Sequence, residues 1–263
     1  MEIKDWELAL LPFQQATDEL LVKFNAIRRS AIELNSSSPI ERVEGRVKQI
    51  HSILDKCNRR GIPSEDAFIA LEDIAGIRII CQFIDDIQEV VNIIRNRDGM
   101  DMEILLEEDY VSNNKPSGYR SYHITINYPI FYDNSIRNIK CELQIRTMAM
   151  NFWATIEHSL KYKFEGKIPK RLQQRLKASA EAAFNLDIEM DKIKDEINES
   201  QKLLYDQSAI VNKVLEKIHI LSSKNLPVDM GKYNKKFFQL YQEENIEKLV
   251  EFNNELDDMI NEV

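Results

Sequence analysis

From Asn138 to Arg146, apolar and polar residues alternate without a fault. Ile139, Cys141, Leu143 and Ile145 fall on one side, and Lys140, Glu142, Gln144 and Arg146 on the other. Successive strand side chains point to opposite faces, so the stretch reads as a strand with its core on one face and charge on the other. A second run, IAGIRIICQFI, sets Ile77, Ile79, Cys81 and Phe83 against Arg78, Ile80, Gln82 and Ile84. Residues 102–106 and 122–128 also read as strands. Only 7 Gly and 7 Pro in 263 residues argue for long helices between them rather than a many-turned β protein. The expected fold is α+β: a mixed central sheet of about five strands flanked by helices, with a helical C-terminal extension.

Residues 1–71 read as helical, with Leu20, Leu21, Phe24 and Ile27 at helical spacing and a break or kink expected at Pro12. Ser38-Pro39-Ile40-Glu41 has the form of a helix start, and the helix it opens would end near Arg60, before Gly61 and Pro63. Another helix is expected from Asp85 to about Arg97. After Thr147 helix-forming sequence continues to Val263, with breaks at Gly166, Pro169, Pro227 and Gly231, the last two joined to Asn225 in one connection. Between Pro169 and Tyr205 there is neither Gly nor Pro, and Leu172, Leu176, Ala183, Met190, Ile193 and Ile197 recur at helical spacing. So long a helix must lay part of its apolar face on another helix. Two further helical runs, 207–221 and 232–262, complete a division into a domain at 1–197 and an extension at 198–263.

Lys and Arg number 35 against 44 Asp and Glu, a net charge of -9, so any phosphate site must be a local basic patch on an acidic body. Cys57, Cys81 and Cys141 are too few and too scattered for a disulfide framework or a zinc site. The sequence opens without the charge and apolar pattern of a signal peptide, and no run approaches the roughly 20 apolar residues of a membrane span. A cytoplasmic, reduced protein with no membrane contact is expected.

Three groups of residues could carry chemistry. On the expected helix at 42–60, Arg42, Arg46, Lys56 and Arg60 share one stripe, and Lys48 and Arg59 form a second basic line. This is either a solvated face or a polyphosphate clamp. The segment KPSGYRSYH (Lys115 to His123) is a Gly turn between cations and an aromatic ring, fit to hold a nucleotide or to serve as an ordinary hairpin loop. Asp73 precedes one strand and Glu142 lies on the polar face of another; if those strands are neighbours, the two carboxylates could share Mg²⁺ beside phosphates, or be unrelated surface acids.

DIAGIRIICQF, KPSGYRSYH, CELQIRTMAMNFWATIEHSL and the GRVK of residues 45–48 together resemble the synthetase domain of the RelA/SpoT family, and more narrowly its small single-domain alarmone synthetases. The resemblance runs from about Trp6 to Ile197. It implies transfer of pyrophosphate from ATP to the ribose 3′-hydroxyl of GDP or GTP, with GMP as a further candidate acceptor, and release of AMP. It also implies Mg²⁺ as cofactor and a homo-oligomer, typically a tetramer. No His here is followed by Asp, the metal motif of the hydrolase domain in long members, so hydrolysis is not expected.

Position by position, the resemblance places Arg46 and Arg78 on either side of the adenine, and Lys48, Ser52, Lys56 and Arg59 around the ATP phosphates. Tyr119 matches the ring that stacks on guanine, with Lys115, Arg120, His123 and Gln144 around the acceptor and Ala154 at a guanine contact. Asp73 matches the Mg²⁺ ligand, and Glu142 the acid that takes the hydroxyl proton and helps hold the metal. Where relatives often carry a basic residue before the Asp-Tyr preceding the guanine loop, this chain has Glu107-Glu108-Asp109-Tyr110. Two rival readings use the same scaffold: an idle nucleotide-binding or single-stranded-RNA-binding regulator, and a pyrophosphokinase acting on another acceptor.

Overall fold

The computed structural model describes residues 3–35, 37–163, 168–223, 230–243 and 246–261. Among them the order is α1 (Ile3–Asn35), β1 (Arg42–Val47), α2 (Ile50–Arg60), α3 (Ala67–Ala70), β2 (Ala75–Cys81), α4 (Ile84–Arg95), β3 (Glu103–Asp109), β4 (Tyr122–Tyr132) and β5 (Ser135–Thr147). Four helices follow: α5 (Met148–Lys163), α6 (Lys170–Ser223), α7 (Met230–Gln242) and α8 (Ile246–Asn261). Contacts divide the chain into two units, Met1–Asp191 and Lys192–Val263.

The first unit is built on one mixed sheet of five strands in the order β1-β2-β5-β4-β3. The pairing of β2 with β5 is parallel and the other three pairings are antiparallel. One face is apolar: Ile77, Ile79, Cys81, Ile124, Ile126, Cys141, Leu143 and Ile145 are all buried, together with Phe13, Ala16, Leu20 and Phe24 of α1 and Ile87, Val90, Val91 and Ile94 of α4. The other face keeps the charged residues of the alternating runs.

Residues 42–60 are not one helix. They form β1, a two-residue link and α2, so the stripe of Arg42, Arg46, Lys56 and Arg60 does not exist as a helix face. Ser38 does not cap a helix either; its Oγ accepts the N–H of Ile40 in a local turn. The reason is tertiary. Ladder bonds to β2 satisfy the backbone of Arg42–Val47, while Gly45 lets α1 press against the strand. A methyl group at Gly45 would sit 2.7 Å from Thr17 Cγ2 and 2.8 Å from Leu21 Cδ1. Pro12 does not break α1, which runs through it as a single helix. Its neighbours Trp6, Phe13 and Ala16 are buried in the core and hold that turn in place.

Pro169 stands just before α6, as expected, whereas Gly231 lies inside α7 rather than at a break. Gly166, Asn225 and Pro227 fall outside the described residues. The run at 232–262 is two helices, not one. The first half of α6 meets α5: Trp153 Nε1 donates to the Leu176 carbonyl at 2.9 Å, and Ala154, Leu176, Ala180 and Ala183 pack around it. Met190, Ile193 and Ile197 are exposed. The second unit has its own core, in which Val214, Ile218, Leu221, Phe237, Leu249, Phe252 and Leu256 are buried, and Tyr233 stacks on Phe252.

Thr147 ends β5 and starts α5. Its Oγ1 accepts the N–H of Met150 at 3.1 Å and donates to Asp187 Oδ2 on α6 at 2.6 Å. Burial pushes the Asp187 carboxyl up to about 6, against the hydrogen bond from Thr147 and with help from Asp191. A raised carboxyl favours the fold when protonated, and that contribution is lost as pH rises through about 6. Asp187→Asn keeps an acceptor for Thr147 without the charge. It should raise the melting temperature at pH 8 by a few degrees, the scale of about 1 kcal/mol in a domain this size. The gain should shrink toward pH 5; equal melting curves at both values would show that Asp187 is not held this way.

Candidate functional site

The sheet register assembles the polar face in rows. Arg46 of β1 lies opposite Gly76 of β2, Gly76 opposite Glu142 of β5, and Glu142 opposite Thr125 of β4. In the adjoining row Glu44, Arg78, Gln144, His123 and Glu108 stand opposite one another across all five strands. Gly76 leaves a gap in this face, and the Arg46 side chain runs beside it, its Cγ 3.8 Å from where a Cβ would sit.

At one end of the face, Asp73 sits just before β2 between two lysines. Lys48 and Lys56 both approach Asp73 Oδ2 at 2.7 Å. Lys48 follows β1 and Lys56 lies on α2, so the strand-link-helix unit brings them together. Burial works to raise the Asp73 carboxyl, but the hydrogen bonds and charges of the two lysines outweigh it and hold it below the ordinary carboxylate value. Asp73 Oδ1 is buried and has no hydrogen-bond partner among the described residues.

In the middle, Glu142 is held at both oxygens. Gln144 Nε2 donates to Oε2 at 2.6 Å, and His123 Nδ1 lies 3.1 Å from Oε1. Burial and the nearby Asp73 push this carboxyl up, while His123 and Gln144 pull it down, and the net effect is downward. It is therefore ionised at neutral pH and able to accept a proton or hold a cation.

A cavity of about 270 Å³ opens over this face, lined by Arg46, Arg78, Tyr119, Gln144, Arg146, Ala154, Thr155, Glu157 and His158. Three guanidinium groups share it. Burial, with the charges of Arg46 and Arg146, lowers the Arg78 value, and burial likewise lowers that of Arg146. Nε of both Arg78 and Arg146 is buried without a partner among the described residues. Crowded cations with unused donors are suited to anionic or π-rich ligands.

The loop between β3 and β4 supplies the remaining wall. Asp109 Oδ1 accepts the N–H groups of Val111 and Ser112, and Gly118 N–H returns to the Lys115 carbonyl at 2.8 Å. Gly118 has φ +90, and an added Cβ would lie 2.5 Å from Ala180 Cβ of α6. Lys115 Nζ rests over the Tyr110 ring, 3.9 Å from its centre. The acidic stretch before this loop is consumed locally. Arg95 grips Glu107, Tyr122 donates to Glu107, and Tyr110 donates to Glu108, which pushes the Tyr110 hydroxyl up to about 12.

Of the residues singled out in the sequence, Arg46, Arg78, Tyr119, Gln144 and Ala154 line one cavity. Lys48, Lys56 and Asp73 form one ionic cluster, and His123 and Glu142 lie between the two groups. Ser52 is half-buried on α2. Arg59 is exposed and bonds the Asp55 carbonyl. Arg120 turns toward α6, stacking on Phe184 at 3.7 Å and reaching Glu181 and the Val111 carbonyl. Arg146 and Glu157 line the cavity although neither was singled out for it. Arg146 stands on the polar side of the alternation already noted, and Glu157 three residues beyond Ala154 on α5, so both could have been found from spacing.

Comparison with known proteins gives a consistent result. The model of the region found in RelA / SpoT proteins matches residues 45–167. GTP pyrophosphokinase YjbM of Bacillus subtilis is 46% identical over 201 residues, covering 76% of this chain and 94% of that protein. The crystal structure of small alarmone synthetase 1 from Bacillus subtilis bound to its product pppGpp superposes with a TM-score of 0.70 at 46% identity, covering 74% of this chain and 98% of that one. The same synthetase bound to AMPCPP gives 0.66 at 45% identity, over 74% and 99%.

The tight contact between the loop and α6 is testable without any ligand. Gly118→Ala meets both an unfavourable positive φ and Ala180, and should cost about 1–3 kcal/mol, the range for overpacking a filled site. Chemical denaturation would read it; unchanged stability would mean that the loop does not rest on α6.

Proposed function

We propose that this chain, which belongs to the RelA/SpoT family, moves the pyrophosphate of ATP onto the ribose 3′-hydroxyl of a guanine nucleotide, making (p)ppGpp-type alarmones and AMP. It is a GTP pyrophosphokinase. The observation that carries this is the joining of two cationic groups around one ionised, doubly held carboxylate, in a chain 46% identical to a GTP pyrophosphokinase across nearly that protein's whole length.

Each part has a chemical task. Arg46 and Arg78 present guanidinium planes at neighbouring positions of β1 and β2, suited to stack on adenine. Lys48 and Lys56, with Ser52 and Arg59 further along α2, would bring positive charge to the triphosphate. Tyr119 offers a face to guanine, with Ala154 beside it and Lys115 on the same loop. A ribose hydroxyl is a poor nucleophile, so a base must take its proton as it attacks the β-phosphorus of ATP. Glu142, half-buried and ionised, would do so. The bond from the 3′-oxygen to the β-phosphorus forms, that to the α,β-bridging oxygen breaks, and AMP leaves.

Magnesium fits this donor set. Asp73, with its buried partnerless oxygen, and Glu142 would hold it. Among the described residues no three His, Cys, Asp or Glu converge, so phosphate oxygens and water would complete its shell. Bound there, it would neutralise charge on the transferred group. No helix of the described residues is long and apolar enough to cross a membrane. The same reading takes the protein as a cytoplasmic homo-oligomer, a tetramer as the family resemblance implies, and residues 198–263 as a helical extension to the synthetase domain.

Purified protein incubated with Mg²⁺, ATP and GDP should yield equal amounts of AMP and ppGpp by anion-exchange chromatography. AMP without a more highly phosphorylated guanosine would point to another acceptor. Glu142→Gln should bind both nucleotides and lose at least about a hundredfold in turnover, the scale of a positioned base. Wild-type turnover in that variant would remove Glu142 from the mechanism.

A further inference from the structure

Glu142 and four other side chains form a closed ring of hydrogen bonds. Gln144 Nε2 donates to Glu142 Oε2 at 2.6 Å, and Arg146 Nη2 donates to Gln144 Oε1. On the other side Arg146 Nη2 lies 3.2 Å from the Tyr119 hydroxyl, which lies 2.9 Å from His123 Nε2, and His123 Nδ1 closes the ring on Glu142 Oε1 at 3.1 Å. We propose that Arg146 and the hydroxyl of Tyr119 are positioning residues for Glu142, and that this ring ties the platform for the acceptor's base to the group that takes the acceptor's proton. The proposal rests on Glu142 being that base.

With a neutral imidazole at His123, the donor arithmetic fixes every bond in the ring. Arginine has donors only, so its bond to Gln144 must end on the amide oxygen. The amide nitrogen is then the end that faces Glu142. In the other arm the Tyr119 oxygen accepts from Arg146, so its own hydrogen is free to go to His123 Nε2. That leaves the imidazole hydrogen on Nδ1, where it meets the carboxylate. Turning either arm round would set donor against donor or lone pair against lone pair. Arg146 is only 3% exposed, so its groups cannot trade these bonds for water. Two arms leaving one planar guanidinium and meeting at the two oxygens of one carboxylate hold that carboxylate in a single orientation.

The register explains why these residues meet. Glu142, Gln144 and Arg146 are alternate residues of β5, and His123 stands directly opposite Gln144 on β4. Tyr119 is on the loop whose turn Gly118 sets, near enough for its ring to lie edge-on to His123 at 5.8 Å. Stacking on a purine needs only the ring of Tyr119, and phenylalanine would serve it equally. The hydroxyl belongs to the ring of bonds. A base that sits on Tyr119 therefore bears on the residue whose hydroxyl fixes Glu142. Misplacing a catalytic group by about 1 Å can cost about a hundredfold in rate.

The two roles of Tyr119 separate in Tyr119→Phe. With ATP and GDP saturating, its single-turnover rate should fall about tenfold, while half-saturation by GDP stays within about twofold of wild type. Tyr119→Ala should in addition lose acceptor affinity. Arg146→Lys, whose flexible ammonium does not hold the fixed planar position from which Nη2 feeds both arms, should slow the same step at least as much. Adding Tyr119→Phe to it should cost nothing more, because the arm is already open. A Tyr119→Phe rate within twofold of wild type overturns the proposal, as does a fully multiplicative loss in the double variant. If Arg146→Lys does not fold, Tyr119→Phe decides alone. Glu142→Gln, run beside them, separates the two ideas: if it is inactive while Tyr119→Phe is unaffected, only the ring is wrong, and if it is fully active the base itself is wrong.

Discussion

Parallel pairing of β2 with β5 sets Gly76 opposite Glu142 and Arg78 opposite Gln144, and the polar contacts of the site inherit that register. A slip of one residue would turn Glu142, Gln144 and Arg146 into the core and push Cys141, Leu143 and Ile145 into the cleft. The buried apolar face against α1 and α4 forbids that slip. The same packing that makes the domain stable thus aligns its chemistry. Parallel neighbours need a long crossover, and here it contains α4, β3 and β4, so the loop before β4 brings Tyr119 to the same face.

The electrostatics follow from crowding on that face. Arg46, Arg78 and Arg146 sit together in a protein whose net charge is -9, and burial makes the charges of Arg78 and Arg146 more expensive to hold. Local partners offset part of this cost: Glu44 lies 4.0 Å from Arg78, and Gln144 and Tyr119 accept from Arg146. Among the described residues, Nε of Arg78 and of Arg146 is buried without a hydrogen-bond partner. At the other end the arrangement is reversed, with two lysines folded onto Asp73. Phosphates entering there would compete for both lysines and release the carboxylate toward a cation.

Much of this was legible in the sequence because the central strands carry their faces in strict alternation. The runs at 138–146 and 77–81 show both core and cleft residues directly. The edge strand Arg42–Val47 was not legible. Its charged residues and glycine have no strand preference of their own, and a Ser-Pro-x-Glu segment before it imitates a helix start. The pairing with β2 and the pressure of α1 on Gly45 decide its state, and both come from residues far away in the chain. Lys48 and Lys56 were nonetheless singled out, since their chemistry depends on charge and on the resemblance rather than on the helix that was expected to carry them. Arg120 illustrates the opposite limit. Nothing in its sequence position says that it will stack on Phe184, a residue 64 positions later, instead of facing the cleft. The ring around Glu142 is hidden for the same reason, because it exists only once β4 and β5 are in register.

In the proposed reaction one sheet face brings the acceptor's 3′-hydroxyl to Glu142 while holding ATP alongside it. A structure of the ternary complex with a non-reactive ATP analogue and GDP tests this most directly. Adenine is expected between Arg46 and Arg78, guanine on Tyr119, and the 3′-oxygen within about 3.2 Å of a Glu142 carboxylate oxygen, or one water away. An acceptor ribose that binds with its 3′-oxygen beyond the reach of both would contradict it.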